Sequence, residues 1–202
     1  AGMQPAFSAV APQRLNIVYV ENAGNAMFAA DTTAPLPQAL RASAAFSAEP
    51  QPVYPFSHDR DYVVPMGASR YAAPTADVAQ TATSTGRRIA LTLHGSADAG
   101  QMVLVIPKSA ALAALTVDGT RVPLGSEWKD QIFLLCTTGD CAHANVVLES
   151  GSKAGFDLTL AERRFGVPAF GARIVAARPD TAVQSRLGDG TMLIGKVAVP
   201  AR

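Results

Sequence analysis

The sequence predicts an all-β protein, an antiparallel β-sandwich with a proline-rich, partly irregular N-terminal third. Three observations predict it. From Arg87 onward, short runs alternate apolar and polar residues with period two. Turn residues separate those runs at regular spacing. No long amphipathic helical pattern alternates with them, which argues against a doubly wound α/β fold.

The elements follow in chain order. Residues 1–13, "AGMQPAFSAVAPQ", read as a linker or disordered start. They lack an initiator methionine and a basic-then-apolar leader, which suggests a processed or excised piece of a longer product. "RLNIVYVENAGNAMFAADT" reads as a hairpin. Ile17, Tyr19 and then Met27 and Ala29 alternate faces around a turn at Glu21–Asn25, where Asn-Ala-Gly suits positive φ. "PLPQALRASAAFS" is a short helix with Leu36, Leu40 and Ala44 on one face, or else a loop. "EPQPVYPFSHDRDYVVP" is extended or irregular, because proline removes donors and disfavours helix in the residue before it. Residues 14–85 are thus expected to pack on a sandwich of residues 86–202, forming one compact body over 14–202.

Past Arg87 the pattern is regular. "RRIALTLHG" alternates Ile89, Leu91 and Leu93, and "GQMVLVIP" is the continuous apolar run of a strand buried on both faces. "ALTVDGTRVPL" holds Asp118-Gly119 between two β-prone runs, a hairpin signal. "DQIFLLCTTG" and "CAHANVVLES" read as the next strand pair, "FDLTLAERR" as another strand, and "TMLIGKVAVP" as the last.

Composition narrows the function. Charged residues are 16% of the 202 and hydrophobic residues 49%, much of it alanine, so small side chains build the core. A formal charge of +1 gives no electrostatic footprint for nucleic acid. No apolar run is long enough to cross a bilayer. The arginine pairs Arg87-Arg88 and Arg163-Arg164 read as solvated edges.

The two cysteines stand in "LLCTTGDCAHANVVLE". Cys136 and Cys141 are read as a disulfide across a hairpin with "TTGD" as its turn, ahead of free thiols or a metal site. Structural zinc takes four ligands, and His143 follows Cys141 at an awkward spacing. Thioredoxin-like chemistry needs Cys-x-x-Cys at a helix start. A disulfide implies an oxidising compartment. "SHDRDY" offers His58, Asp59 and Asp61, metal-capable types, but reads better as a polar loop with Asp side chains capping turns. No Gly-x-Ser-x-Gly, dinucleotide fingerprint or P-loop occurs. A hydrolase would need His58, His94 or His143 gathered with a carboxylate and a nucleophile. A binding module would need Tyr54, Phe56, Tyr62 and Tyr71 clustered with Trp128 on one surface.

"RFGVPA" followed by "ARPDTAVQSRLGDGTMLIGKV" resembles the end of the C-terminal domain of membrane-bound M28-type zinc metallopeptidases, relatives of the vacuolar membrane protease. "RLNIVYVENAGNAMFAADT" is similar to the start of that region and "LTVDGTRV" to its middle. The resemblance implies a non-catalytic accessory domain on the outer, periplasmic side of a membrane, tethered to it in the full-length protein. Its partners would be the upstream peptidase domain and membrane spans, a second copy, or a peptide substrate, with no nucleic acid. Zinc belongs to the upstream domain. No stretch here matches the family's His, Asp and Glu zinc ligands, so no catalytic, cofactor or metal residue is assigned. Gly166 and Pro168 are expected to shape a tight loop.

Overall fold

The computed structural model describes residues 7–125, 131–137 and 139–202. The chain is mostly β, in mostly antiparallel sheets. In chain order its strands are β1 (Gln13–Arg14), β2 (Asn16–Asn22), β3 (Asn25–Asp31), β4 (Gln51–Pro52), β5 (Arg60–Ala68), β6 (Thr75–Thr83), β7 (Gly86–His94) and β8 (Gln101–Pro107). They continue as β9 (Leu112–Val117), β10 (Thr120–Val122), β11 (Gln131–Cys136), β12 (Asn145–Ser150), β13 (Phe156–Phe165), β14 (Ala182–Val183) and β15 (Gly190–Val199). The helices are short: α1 (Gln38–Ser43) and α2 (Ala172–Ala176).

Two compact units divide the chain, and each takes two separate stretches. The first holds Ala1–Tyr71 with Arg164–Met192, the second Ala72–Arg163 with Leu193–Arg202.

In the first unit, β2, β3, β5 and β4 lie side by side in that order, antiparallel throughout. The hairpin forms as expected from its turn residues, but its turn is shorter. Asn22 pairs with Asn25, leaving Ala23 and Gly24 at φ 50° and 81°. Two consecutive positive φ values give the primed turn that matches strand twist. The turn length sets the register, so Tyr19 faces Phe28 and Ile17 faces Ala30. The expected phase through Met27 and Ala29 is therefore corrected by one residue, which flips the second strand. Phe28 and Ala30 enter the core, with Leu15, Ile17, Tyr19, Tyr62 and Val64. Leu36 and Leu40 cover that face from the α1 segment, with Ala44 beside them, and Ile174 comes from α2. Pro65 sits inside β5 because the ladder slips there, between Ala26 and Met27 of the neighbouring strand.

In the second unit, one sheet runs β10-β9-β12-β7-β6 and the other carries β11-β8-β13-β15. A single hydrophobic cluster fills the space between them. Ile89, Leu91, Leu93, Leu115, Val146 and Leu148 come from the first sheet, and Met102, Leu104, Ile106, Leu158, Leu160 and Val197 from the second. This unit is the sandwich that the alternating runs predict. Asp118-Gly119 makes its expected tight turn, at φ 45° and 81°, with Val117 opposite Thr120. Arg87 is buried rather than solvated. Its guanidinium donates to the Gln80 side chain and to the carbonyls of Pro200 and Ala154, and lies 5.2 Å from the Phe156 ring centre.

One expected pairing is corrected. β11 and β12 are consecutive but do not pair. β11 pairs with β8, whereas β12 pairs with β7 and β9 in the other sheet. A 3-10 turn over Gly139–His143 carries the chain from one sheet to the other.

Candidate functional site

Cys136 and Cys141 form a disulfide, with 5.6 Å between their Cα atoms. Cys136 ends β11 and Cys141 lies in the 3-10 turn, so the bond does not bridge a hairpin. It clips the crossing segment to the strand it leaves, and the Cys141 sulfur side sits in the sandwich core. A disulfide fits an oxidising, extracytoplasmic environment. Among the described residues, no helix is long and apolar enough to cross a membrane.

His58, Asp59 and Asp61 of "SHDRDY" do not form a metal-capable group of three. Asp59 accepts a hydrogen bond from the Ser57 hydroxyl at 2.7 Å, and its own N–H donates back to Ser57 Oγ. The loop is polar and capped, but by the Ser57 hydroxyl rather than by an Asp side chain. His58 is exposed. Asp61 differs: it starts the apolar part of β5, is only 3% exposed, and its Oδ2 has no hydrogen-bond partner among the described residues. Burial, aided by the charges of Asp31 and Asp59, pushes its carboxyl up from 3.8 to about 7. The three residues do not fit a zinc ion, and among the described residues no three metal-capable side chains come together.

His58 belongs to the first unit, and His94 and His143 to the second. His94 Nε2 lies 2.8 Å from Asp77 Oδ2 on the exposed face of β6 and β7. Backbone bonds from Leu93 to Ala144 and from Gly95 to Ala142 bring the His143 position opposite His94.

Tyr54, Phe56, Tyr62 and Tyr71 do not share one exposed surface, because Tyr62 is buried. Tyr54 and Phe56 stack on each other at 5.8 Å. Tyr62 is buried in the first unit's core. Tyr71 meets Tyr19 edge-on at 6.1 Å. Trp128 lies outside the described residues. The single aromatic surface required of a binding module is not assembled from Tyr54, Phe56, Tyr62 and Tyr71.

What the first unit does assemble is a polar hub around Asp189. This carboxylate is buried and accepts hydrogen bonds from the Ile17 N–H at 2.8 Å, from the Gln184 amide at 3.0 Å, and from the Arg178 guanidinium. Beside it, Asn16 donates to the Ser185 hydroxyl and accepts from the Ser185 N–H. The Gly166 N–H donates to the Asp189 carbonyl, and the Thr191 hydroxyl donates to the Gly166 carbonyl. Gly166 has φ 79°, the left-handed conformation a tight loop after β13 needs. Pro168 then opens the 3-10 turn Ala169–Gly171. Chemically, Asp189 is neutralised by Arg178 and saturated by donors, so it orders three chain segments rather than offering a base.

Glu21 makes a second anchor. It is buried, accepts from the Tyr19 hydroxyl at 2.7 Å, and binds the backbone N–H groups of Arg70 and Tyr71 at 2.7 and 3.0 Å. Burial first, and the bond to Glu21 second, push the Tyr19 phenol well above its ordinary range. Sequence reading missed both Asp189 and Glu21. The signal was there for Glu21: a lone acid in "NIVYVEN", inside an apolar strand, demands a buried partner.

No family model matches this sequence, and no curated protein matches it.

Proposed function

We propose that this chain is a non-catalytic accessory domain of a larger, membrane-tethered zinc peptidase on the outer side of a membrane. There it acts as scaffold, self-associates, or presents substrate to the upstream catalytic domain, which would hold the zinc. The observation that carries the reading is the Asp189 hub. The segments that resemble the C-terminal region of M28-type peptidases supply Asn16, Ile17, Gly166, Arg178, Gln184, Ser185, Asp189 and Thr191 to one network. In it, these residues hold loops in place, which is the work expected of framework positions in a scaffold. The disulfide supports the extracytoplasmic address.

The test compares zinc content and aminopeptidase activity of the 202-residue chain with those of the same chain joined to the region encoded upstream of it. Zinc and activity confined to the longer protein are expected. Stoichiometric zinc or peptide hydrolysis by the shorter chain overturns the reading.

A further inference from the structure

The backbone of Ser69, Arg70 and Tyr71 is pinned from below. Ser69 bonds to the carbonyls of Gly24 and Asn25, and Arg70 and Tyr71 donate their N–H groups to the buried Glu21. Their side chains are left on the surface. The Arg70 guanidinium lies 4.4 Å from the centre of the Phe170 ring, which is 41% exposed. Among the described residues it has no ion pair or side-chain hydrogen bond. Arg164 lies 5.4 Å from the centre of the Tyr71 ring, which is 37% exposed.

This arrangement is preorganised for one chemistry. An arginine laid on an aromatic face keeps its planar fork of N–H donors fixed and open at the edge. Carboxylate geometry matches that fork. The Glu21 carboxylate beneath does not compete, because its oxygens are taken by the Tyr19 hydroxyl and two backbone N–H groups.

We propose that the surface formed by Arg70, Phe170 and Tyr71 binds an acidic peptide, its carboxylate on the Arg70 guanidinium and a neighbouring apolar side chain against the exposed ring edges. A peptide suits the surface better than an acidic sugar chain. Stacking a pyranose needs an open ring face, and Arg70 and Arg164 lie over the faces of Phe170 and Tyr71. The inference leans on the accessory-domain reading only for its purpose, substrate presentation; the binding stands on this surface alone.

The test is fluorescence anisotropy on the whole chain with a short fluorescein-labelled peptide of alternating Glu and Phe. Its Gln-for-Glu counterpart and polygalacturonate serve as competitors. Saturable binding that weakens with salt is expected, with the Gln peptide a poor competitor. Arg70→Gln should lower affinity about tenfold or more, with Arg70→Lys intermediate and Phe170→Ala weakened. The Arg70 variants keep the backbone bonds to Glu21, and unchanged thermal unfolding verifies their fold. Equal binding of the Glu and Gln peptides, an unchanged affinity in Arg70→Gln, no binding, or stronger competition by polygalacturonate each overturns it. Because the readout is binding rather than activity, its failure leaves the zinc and peptidase comparison unaffected.

Discussion

The two units differ in how they fill their apolar cores, although both bury polar side chains: Arg87, Ser150, Glu162 and Arg163 in the second, Glu21, Asn16, Asp61 and Asp189 in the first. The second unit fills the gap between two sheets with Leu, Ile, Val and Met, and Phe156 is the aromatic ring in that layer. The first unit buries aromatic rings, Tyr19, Phe28 and Tyr62, and with them the polar side chains Glu21, Asn16, Asp61 and Asp189. Apolar burial is non-directional, so the apolar layer of the second unit tolerates volume-conserving exchange. A buried polar hub is directional: each donor must meet its acceptor or the group becomes costly. Stability in the first unit is thus tied to a few hydrogen-bonded residues, and with it the shape of the loops they hold.

The comparison breaks most visibly at Asp189. Asp189→Ala strands the Arg178 guanidinium and the Ile17 N–H, both bound to that carboxylate. Loss of one partner from a buried pair leaves an uncompensated charge, so about 4 kcal/mol is expected. Chemical denaturation measures it, and a loss below about 1 kcal/mol would mean that water replaces the hub. Leu148→Ala in the second unit tests the other principle. Leu148 is fully buried, and truncation should cost about 3 kcal/mol through lost transfer energy and a residual cavity. Leu148→Met should recover most of it. If the Asp189 deficit is likewise recovered by a same-sized apolar residue, Leu, the distinction between the units fails.

A smaller effect comes from the disulfide. Replacing both Cys136 and Cys141 by Ser should lower stability by about 2 kcal/mol, since the closed loop is short. Wild-type protein under reductant should move to the same midpoint. A variant insensitive to both changes would show that the crossing segment is held by core packing alone.

How far the sequence reveals this fold depends on how local each signal is. Asp118-Gly119 and Gly24 mark their turns because Gly, and to a lesser degree Asp, adopts positive φ readily, whereas Ala23 is carried into it by its place in the turn. The apolar alternation of β7 marks its buried face just as locally. Register is less local: one residue more or less in the first hairpin's turn decides whether Met27 or Phe28 faces the core. β6, with its small and polar residues "TADVAQTAT", carries little apolar signal and is held by its pairing with β7. Strand partners are less legible again. β11 and β12 read as a pair because neighbours in sequence usually pair, yet the segment between them changes sheets. The hub is the extreme case: Ile17 meets Asp189 across 172 residues, and nothing in either segment names the other.

Asp61 sharpens the comparison at its smallest scale, through pH. Its folded carboxyl titrates at about 7, raised by burial from the ordinary 3.8, so the native state binds its proton more tightly than the unfolded chain does. The sign follows from linkage. Between pH of about 4 and 7 the unfolded chain has released this proton and the native state still holds it, so stability from this group is fully present below that window. It is lost as pH rises through it, and above about 7 the loss is complete. Asp61→Asn removes the titrating group while keeping its shape. The variant should show a flatter dependence of melting temperature on pH across the window. At pH 8 it should be more stable than wild type by on the order of 1 kcal/mol. The Asp31 and Asp59 charges raise this carboxyl further, so Asp31→Asn should shift the wild-type slope toward lower pH. Parallel pH profiles for wild type and Asp61→Asn would mean that the carboxyl is hydrated, and that the first unit's buried acids are confined to Glu21 and Asp189.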